Sequence, residues 1–254
     1  MSSENSRRRP GQPGKRFGLA RILSKRGFCS RTQAAEWIRA GRVSVAGRRI
    51  LDPEQGFPLD QDAIAVDGVV APLPPRRRVL VLHKPRGYLV TRQDQLARQT
   101  IYDLLPDGDW LAPVGRLDQA SSGLLLLSND PAWAQKILDP ERHLPKKYHV
   151  QVRPPLTAEQ RAYLATGVVL DGIRYRSMEI RELRCGGKTQ WLEFVLHEGK
   201  NRQIRRLLES LGCEVLRLIR VAIGTLTLGD LAAGQWRELT PSEMISLCPP
   251  FDLL

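Results

Sequence analysis

The sequence predicts an α+β protein in two parts, a small basic unit of two helices and a short sheet, followed by a larger strand-rich unit. Apolar residues recur at helical spacing in residues 17–40. From residue 79 onward, apolar residues alternate or form short blocks, as they do in strands. The proline-rich stretch 71–78 separates the two patterns and predicts a linker, because prolines favour an extended chain.

The N-terminal part divides into a tail and the small unit. Residues 1–15 are rich in Ser, Arg, Pro and Gly and cannot bury enough apolar surface to fold, so they predict a disordered basic tail. Residues 16–70 predict the small unit. Its first helix is stopped by Gly27, and its second starts at the N-cap Ser30 and ends at Gly41. Alternating residues after this helix predict a hairpin of the small sheet.

The larger unit, residues 79–254, predicts more strands than helices. Asp130 followed by proline, and Thr157 three residues before Gln160, are helix starts. A third helix, 201–212, has leucine and isoleucine on one face and arginine on the other. The predicted strands are residues 79–91 (interrupted by a Pro-Arg-Gly turn), 124–127, 146–152, 189–199 and 214–228. This order of elements favours a mixed or antiparallel sheet.

The charge of the chain indicates a polyanionic partner. The 254 residues include 39 Lys and Arg against 27 Asp and Glu, a formal net charge of +12. Residues 1–50 hold thirteen of these cations and only two acids, Glu4 and Glu36. Such asymmetry favours nucleic acid over a membrane surface, although a solubilising tail would give the same bulk charge.

Several other classes of protein are disfavoured. The four cysteines lie far apart and form no metal-binding pattern, so free thiols in a reducing compartment are expected. No apolar run approaches the roughly 20 residues of a membrane span, and we expect a cytoplasmic protein without membrane contact. The chain also lacks a phosphate-binding P-loop, a zinc-protease helix, a calcium loop and a Gly-x-Ser-x-Gly elbow.

The helices of residues 17–40 carry a basic face with almost no interleaved acids. Such a face would repel itself unless phosphates neutralise it, although most charge runs are simply solvated. The segment from Ser30 to Gly47 closely resembles the RNA-binding domain named after ribosomal protein S4, and the resemblance favours structured RNA over DNA. The cations predicted to contact RNA are Arg21, Lys25, Arg26, Arg31, Arg39 and Arg42.

A lone carboxylate stands out in "VGRLDQASSGLLLLSND", residues 114–130. Asp118 follows Arg116 by two positions and precedes small residues and a buried strand, and the acid alone would suggest a turn or a cap. The whole string resembles the signature of the pseudouridine synthases, in the ribosomal small-subunit and large-subunit class that carries an S4-type domain. The strings "HKPRGYLVT", "KKYHVQV", "EGKNRQIRRLLESLG" and "RLIRVAIG" occur in the family's order, so the resemblance covers essentially the full chain.

The resemblance implies a chemistry that one carboxylate can perform. Conversion of uridine to pseudouridine breaks the N1–C1′ bond, turns the uracil and rejoins it through C5, so neither a cofactor nor a metal is implied. Asp118 would attack C1′ or remove the 2′ proton, and the sequence does not choose between these routes. It must be ionised in a closed pocket, where a nearby cation offsets the cost of desolvation. By motif match that cation is Arg205, with Arg202 and Arg206 as alternatives.

The resemblance also implies roles for residues around the flipped base. Tyr148 would stack on the uracil and assist proton removal at C5, although it also fits a half-buried strand tyrosine. Arg116 would fill the vacated stack or grip the flanking phosphate, unless it forms a structural ion pair. Leu218 would be an apolar wall of the pocket. Further candidates for phosphate contacts are Lys146, Lys147, Lys200, Arg202 and Arg220.

One departure sharpens the subclass. Free-standing subfamilies have His-Gln-Ile-Arg where this chain has Arg202 in place of the histidine, a variant usual in the S4-bearing class. The resemblance is greatest to large-subunit members, so 23S ribosomal RNA is the expected substrate and partner, with a monomer as the default state. A non-catalytic RNA-binding or ribosome-assembly factor on the same scaffold remains an alternative. A glycosidase is disfavoured because a second carboxylate is missing.

Overall fold

The computed structural model describes residues 16–71, 77–92, 94–106 and 111–249. Contacts divide the chain into two compact units, Met1–Arg76 and Arg77–Leu254. The predicted tail and most of the predicted linker lie outside the described residues. Ala71, predicted to begin the linker, is buried in the core of the first unit. Within the described ranges no helix is long and apolar enough to cross a membrane.

The first unit packs two short helices on small sheets. The helices are α1 (Leu19–Lys25) and α2 (Arg31–Arg39). The strands are β1 (Arg16–Gly18), β2 (Val43–Val45), β3 (Arg48–Arg49), β4 (Gly56–Pro58), β5 (Ile64–Val66) and β6 (Val69–Val70). Strand β1 pairs with β4, and the other four form a sheet in the order β3-β2-β5-β6. The Ser30 side chain accepts a hydrogen bond from Gln33 N, which confirms the predicted N-cap of α2.

The second unit is rich in strands. The strands are β7 (Val79–Lys84), β8 (Ala112–Val114), β9 (Ser122–Ser128), β10 (Lys146–Arg153), β11 (Val169–Leu170), β12 (Ile173–Arg174), β13 (Glu179–Cys185), β14 (Gln190–Leu196), β15 (Glu214–Ile223), β16 (Leu226–Thr227) and β17 (Trp236–Glu238). The helices are α3 (Pro131–Leu138), α4 (Ala158–Ala165), α5 (Gln203–Ser210) and α6 (Pro241–Leu247), with 3-10 turns at Ile101–Leu104 and Pro140–Arg142. The predicted starts of α3 and α4 are confirmed, since Asp130 and Thr157 cap them.

A mixed sheet forms the centre of the second unit. In the described part of the chain it has nine strands, in the order β13-β14-β10-β15-β9-β7-β17, with β16 on β15 and β8 on β9. Every pair in it is antiparallel except β15 with β9. One apolar cluster joins β10 and β14 to α4 and α5, and another joins β7 and β9 to α3 and α6. The predicted α+β class with a mixed sheet is therefore confirmed.

The structure differs from the sequence prediction at two places near the middle of the sheet. The predicted strand 79–91 ends at Lys84, and beyond the turn Leu89 forms only an isolated bridge with Thr100. The predicted helix 201–212 starts two residues late, because Arg202 adopts a left-handed conformation with φ 49° and ψ 30°. Both differences bring backbone turns, which regular periodicity does not reveal, next to the Asp118 loop.

Candidate active site

The loop between β8 and β9 carries Asp118 and is held by a buried lysine. Lys84, the last residue of β7, is fully buried. Its Nζ donates hydrogen bonds to the carbonyl oxygens of Pro85 at 2.9 Å, Asp118 at 3.2 Å and Ser121 at 2.8 Å. Burial lowers the pKa of Lys84 to about 8, and the charge of Asp118 opposes this shift. The cation therefore ties the middle and the end of the Asp118 loop to the end of β7.

The small residues after Asp118 allow two strands to approach closely. Strand β9 begins in parallel pairing with β15, where Gly123 lies opposite Arg220. Gly123 has φ +108°, and a Cβ atom on it would lie 2.3 Å from the carbonyl oxygen of Arg220. Only glycine fits this contact. The Ser-Ser-Gly sequence thus brings the Asp118 loop against β15.

Helix α5 brings Arg205 to the same loop. Its Ile204, Leu207 and Leu208 are buried, so the opposite, basic face turns toward Asp118. Arg205 NH2 donates to the carbonyl oxygen of Ala120 at 3.0 Å, and Arg205 Nε lies 3.9 Å from Asp118 Oδ2. The distance between Arg205 Nε and Asp118 Oδ2 is within the range of an ion pair but is too long for a hydrogen bond.

The guanidinium of Arg205 is largely withdrawn from solvent, with 12% of its side chain exposed. Burial, followed by the charge of Arg202, lowers the pKa of Arg205, and Asp118 opposes the shift. Its Nε is buried and has no hydrogen-bond partner among the described residues. A small shift of the carboxylate would let it accept a hydrogen bond from this nitrogen.

A second arginine shares the carboxylate. Arg202 NH1 lies 3.8 Å from Asp118 Oδ2, and 47% of the Arg202 side chain is exposed. Arg206, the other alternative from the sequence, instead forms an ion pair with Asp171 at 3.0 Å. The structure therefore brings Arg205 and Arg202 to Asp118 and places Arg206 elsewhere.

These side chains line one cavity, which is open to solvent. The Asp118 side chain is 32% exposed there. Tyr148 on β10 packs against the apolar cluster that joins β10 and β14 to α4 and α5 and against a further cluster that includes Leu117 and Leu125. Leu218 on β15 is 7% exposed. The cavity is lined by Arg116, Leu117, Asp118, Ser121, Tyr148, Leu196, Glu198, Gly199, Arg202, Gln203, Ile204, Arg205 and Leu218. Two carboxylates, three guanidiniums and one aromatic ring thus line a single cavity.

A wider polar groove adjoins this cavity. It shares Arg116, Asp118 and Arg202 with the cavity. Its far wall comes from the turn after β7, including Asp94 and Arg98, which form an ion pair at 2.6 Å. Arg116 is exposed where the two spaces meet. A ligand longer than a single base could therefore continue from the cavity into the groove.

The cations predicted around the pocket occupy different environments. Lys200 is exposed at the rim, while Lys146 is half-buried and donates to the carbonyl oxygen of Leu144 at 3.2 Å. Lys147 forms an ion pair with Glu193 at 3.4 Å and, next to Tyr148 on β10, points to the opposite face of the sheet.

Arg220 requires a correction. It is 4% exposed, and its Nε donates to the carbonyl oxygen of Leu124 at 2.7 Å. This guanidinium lies inside the fold, between β15 and β9, where an RNA phosphate does not reach it. The predicted phosphate contact is wrong for Arg220, because an arginine in a strand pattern looks the same whether it is buried or exposed.

The basic face of the small unit is only partly as predicted. Arg21 and Lys25 stack over the Phe17 ring at 5.4 and 5.1 Å. The guanidinium of Arg39 is exposed, and no acid lies within ion-pair distance of it among the described residues. These three charges remain available to a polyanion.

Three other cations of the small unit have partners within it. Arg31 pairs with Glu54 at 3.0 Å, and Arg42 pairs with Asp67. Arg26 is 4% exposed and donates to the carbonyl oxygens of Leu59 at 2.9 Å and Gln61 at 2.6 Å. The predicted RNA contact of Arg26 is therefore corrected to a structural role, in which it closes a loop of its own unit.

The sequence does not predict the role of Lys84 or of two residues that line the cavity. Lysine is rarely buried, so its place at the end of an apolar strand does not reveal the three carbonyl groups that it binds. Glu198 and Gln203 also line the cavity, and Gln203 Nε2 donates to Glu198 Oε1 at 2.7 Å. Among the residues that the structure describes, no group of His, Cys, Asp or Glu could hold a metal ion.

Comparisons with protein families match both units. The family model described as RNA pseudouridylate synthase matches residues 78–210, which contain Asp118, Tyr148 and Arg205. The model of the S4 domain matches residues 17–56 in the first unit. The two matches fall on opposite sides of the division between the compact units.

Individual relatives and one solved structure agree with these matches. An uncharacterized RNA pseudouridine synthase of Rickettsia felis is 34% identical over 230 residues, 87% of this chain and 96% of the relative. Ribosomal large subunit pseudouridine synthase B of Pseudomonas aeruginosa is 37% identical over 236 residues, 89% of this chain and 60% of the relative. A crystal structure of a pseudouridylate synthase superposes with a TM-score of 0.64 at 26% identity, covering 91% of this chain and 99% of that chain.

Proposed function

Because the chain belongs to the RNA pseudouridylate synthase family, whose members are isomerases, and carries an S4 domain, we propose that it converts one uridine of ribosomal RNA to pseudouridine at Asp118. The observation that carries this proposal is the carboxylate of Asp118, 3.9 Å from Arg205 and 3.8 Å from Arg202, in a cavity that also contains Tyr148.

The charges around Asp118 support its role as the reacting group. Two guanidiniums lie beside its carboxylate, and neither is close enough to hold an oxygen in a short hydrogen bond. The other acid lining the cavity is Glu198, whose Oε1 accepts from Arg176 N and Gln203 Nε2 and whose Oε2 lies 3.3 Å from Lys200 Nζ. Asp118 is thus the lining carboxylate available to a ligand.

In the proposed reaction, the target uridine leaves its stack and its base enters the cavity. In one route Asp118 attacks C1′ as the N1–C1′ bond breaks, the freed uracil turns, and C5 bonds to C1′ and displaces the carboxylate. In the other route Asp118 removes the 2′ proton, the N1–C1′ bond breaks, C5 of the turned uracil bonds to C1′, and the proton returns to C2′. The C5 proton is then lost and N1 gains a proton, so nothing enters or leaves overall. Tyr148 stacks on the uracil and assists removal of the C5 proton, and Leu218 forms an apolar wall. Stacking of this kind contributes about 1–3 kcal/mol per base.

The substrate is proposed from the relatives and from charge. The Pseudomonas aeruginosa relative is a synthase of the large ribosomal subunit, so a uridine of 23S ribosomal RNA in the cytoplasm is the proposed target. The exposed cations of the small unit, including Arg21 and Arg39, would dock on the same RNA. Arg116, exposed at the mouth of the cavity, would fill the vacated stack or contact the flanking phosphate.

Tritium release from C5-labelled uridine in ribosomal RNA transcripts tests the proposal. Wild-type protein should release tritium from large-subunit RNA, and Asp118→Asn should release none while binding the RNA equally well. Release by the Asn variant would exclude Asp118 as the reacting group. Absence of release by wild type from any ribosomal RNA would favour an assembly factor, and free uracil among the products would indicate a glycosidase.

A further inference from the structure

Three chain segments meet beside the cavity and bring together a group of basic side chains, here termed the rim cluster. One segment follows the 3-10 turn Pro140–Arg142, the second is the end of the β11–β12 hairpin, and the third joins β14 to α5. The rim cluster consists of His143, Arg174, Arg176, His197 and Lys200. Glu198 and Gly199, in the third segment, line the cavity, so the cluster lies at its edge.

The members of the rim cluster are linked to one another by hydrogen bonds. Arg176 NH1 lies 2.9 Å from His143 Nδ1 and 3.2 Å from His143 Nε2. His197 Nδ1 contacts the carbonyl oxygen of His143 at 2.8 Å, and Lys200 Nζ donates to the carbonyl oxygen of Arg174. The cluster is therefore one connected arrangement and not a chance excess of charge along the sequence.

Negative charge is scarce in this network. Arg174, Arg176 and Lys200 are exposed, and the acid that contacts Arg176 N and Lys200 is Glu198, whose two oxygens are already engaged. In the described part of the chain, neither Arg174 nor Arg176 has a carboxylate within ion-pair distance. The cluster thus places two exposed guanidiniums that have no carboxylate partner in the described ranges at the edge of the cavity.

From this arrangement we propose that the rim cluster is a phosphate-binding subsite, which takes a backbone phosphate of the RNA next to the uridine in the cavity. The proposal rests on the proposed function only in the identity of the RNA. The Nε and NH2 groups of Arg176 have no partner among the described residues, and a guanidinium offers such donors in the fork geometry that phosphate oxygens fit.

Binding measurements at several salt concentrations test this subsite. The full chain with Asp118→Asn, which should not turn over substrate, is titrated with a large-subunit ribosomal RNA transcript. Affinity for RNA falls as salt rises, and in this background Arg176→Gln should make the slope of log affinity against log salt shallower by about 1. This change corresponds to about five- to eightfold weaker binding at 0.1 M salt. The double variant Arg174→Gln with Arg176→Gln should make this slope shallower by about 2.

Arg184→Gln is the matched control. Arg184 is exposed near the far end of β13, so its loss changes net charge equally at a distance from the cluster. An unchanged slope in the Arg176 variant, or an equal decrease in the Arg184 variant, would overturn the proposal. A lower melting temperature of the Arg176 variant at unchanged salt dependence would mean that the cluster is structural. Failure of the proposed function appears separately, as absent tritium release by wild-type protein.

Discussion

Lys84 Nζ donates a hydrogen bond to the backbone carbonyl oxygen of Asp118 at 3.2 Å, so a buried cation on β7 holds the backbone of the proposed reacting residue. The same ammonium also binds the carbonyl of Ser121, three residues further along the loop. Lys84 can affect turnover without contacting the substrate, because it sets the position from which the Asp118 side chain enters the cavity.

Replacement of Lys84 by methionine is expected to destabilise the protein and to impair turnover. The change removes one donor from each of the carbonyl groups of Pro85, Asp118 and Ser121, although Asp118 keeps the Ser121 N–H as a donor at 3.0 Å. A carbonyl group that is left buried and unpaired costs about 1–3 kcal/mol in unfolding free energy. Urea unfolding gives this value, and tritium release below the unfolding transition should show reduced kcat. Lys188→Met, at an exposed turn, is the control and should change neither quantity.

The lowered pKa of Lys84 predicts a distinct dependence of stability on pH. The pKa is about 8 in the folded protein and 10.5 for an ordinary lysine, so between these values the unfolded chain binds more protons at this residue. Stability from this group therefore rises as pH increases from about 8 to 10.5. The difference in unfolding free energy between wild type and Lys84→Met should grow in favour of wild type over this window. A constant difference would show that Lys84 titrates normally.

The helix that carries Arg205 could be predicted from sequence, but its partner atoms could not. Apolar spacing in 201–212 gives a buried face and therefore an arginine face. The left-handed turn at Arg202, which lets two arginines converge on Asp118, leaves no periodic signal.

The sequence also does not predict which polar residues are buried. Arg26 and Arg39 belong to one run of cations, yet Arg26 closes an internal loop and Arg39 is exposed. The difference depends on carbonyl groups more than 30 residues away in the chain, Leu59 and Gln61. Local patterns predict helices and caps well because their causes are local, whereas such long-range contacts arise only when the chain folds.

Arg205 and Arg202 are expected to contribute unequally to turnover. The guanidinium of Arg205 is 12% exposed and is held by backbone carbonyls, so it acts on Asp118 with little screening, whereas Arg202 is 47% exposed. Arg205→Gln should lower kcat/KM by about 100-fold or more, as loss of a preorganised charge does. Arg202→Gln should lower it less than tenfold. Equal losses in single-turnover tritium release would contradict this ranking.

Two variants of Tyr148 should distinguish its contribution to base stacking from its contribution to proton transfer. Tyr148→Phe keeps the ring and removes the hydroxyl, so RNA affinity should persist while the tritium release rate falls about 10²- to 10⁴-fold, if the hydroxyl assists at C5. Tyr148→Leu removes the ring as well and should weaken RNA binding by about 1–3 kcal/mol. Affinity of each variant for transcript is measured in parallel with release. A Phe variant with wild-type turnover would limit Tyr148 to stacking.

The cations of the small unit should differ in their effect on RNA binding according to their partners. Arg39 has no acid within ion-pair distance in the described ranges, so Arg39→Gln should lower the salt slope of RNA affinity by about 1. Arg31 already pairs with Glu54 at 3.0 Å, and a phosphate must compete with this carboxylate. Arg31→Gln should therefore lower the slope by less than half as much. Filter binding between 50 and 300 mM salt, roughly the range in which such contacts weaken, measures both slopes. If the Arg31 variant loses as much as the Arg39 variant, the ion pair with Glu54 does not limit RNA binding.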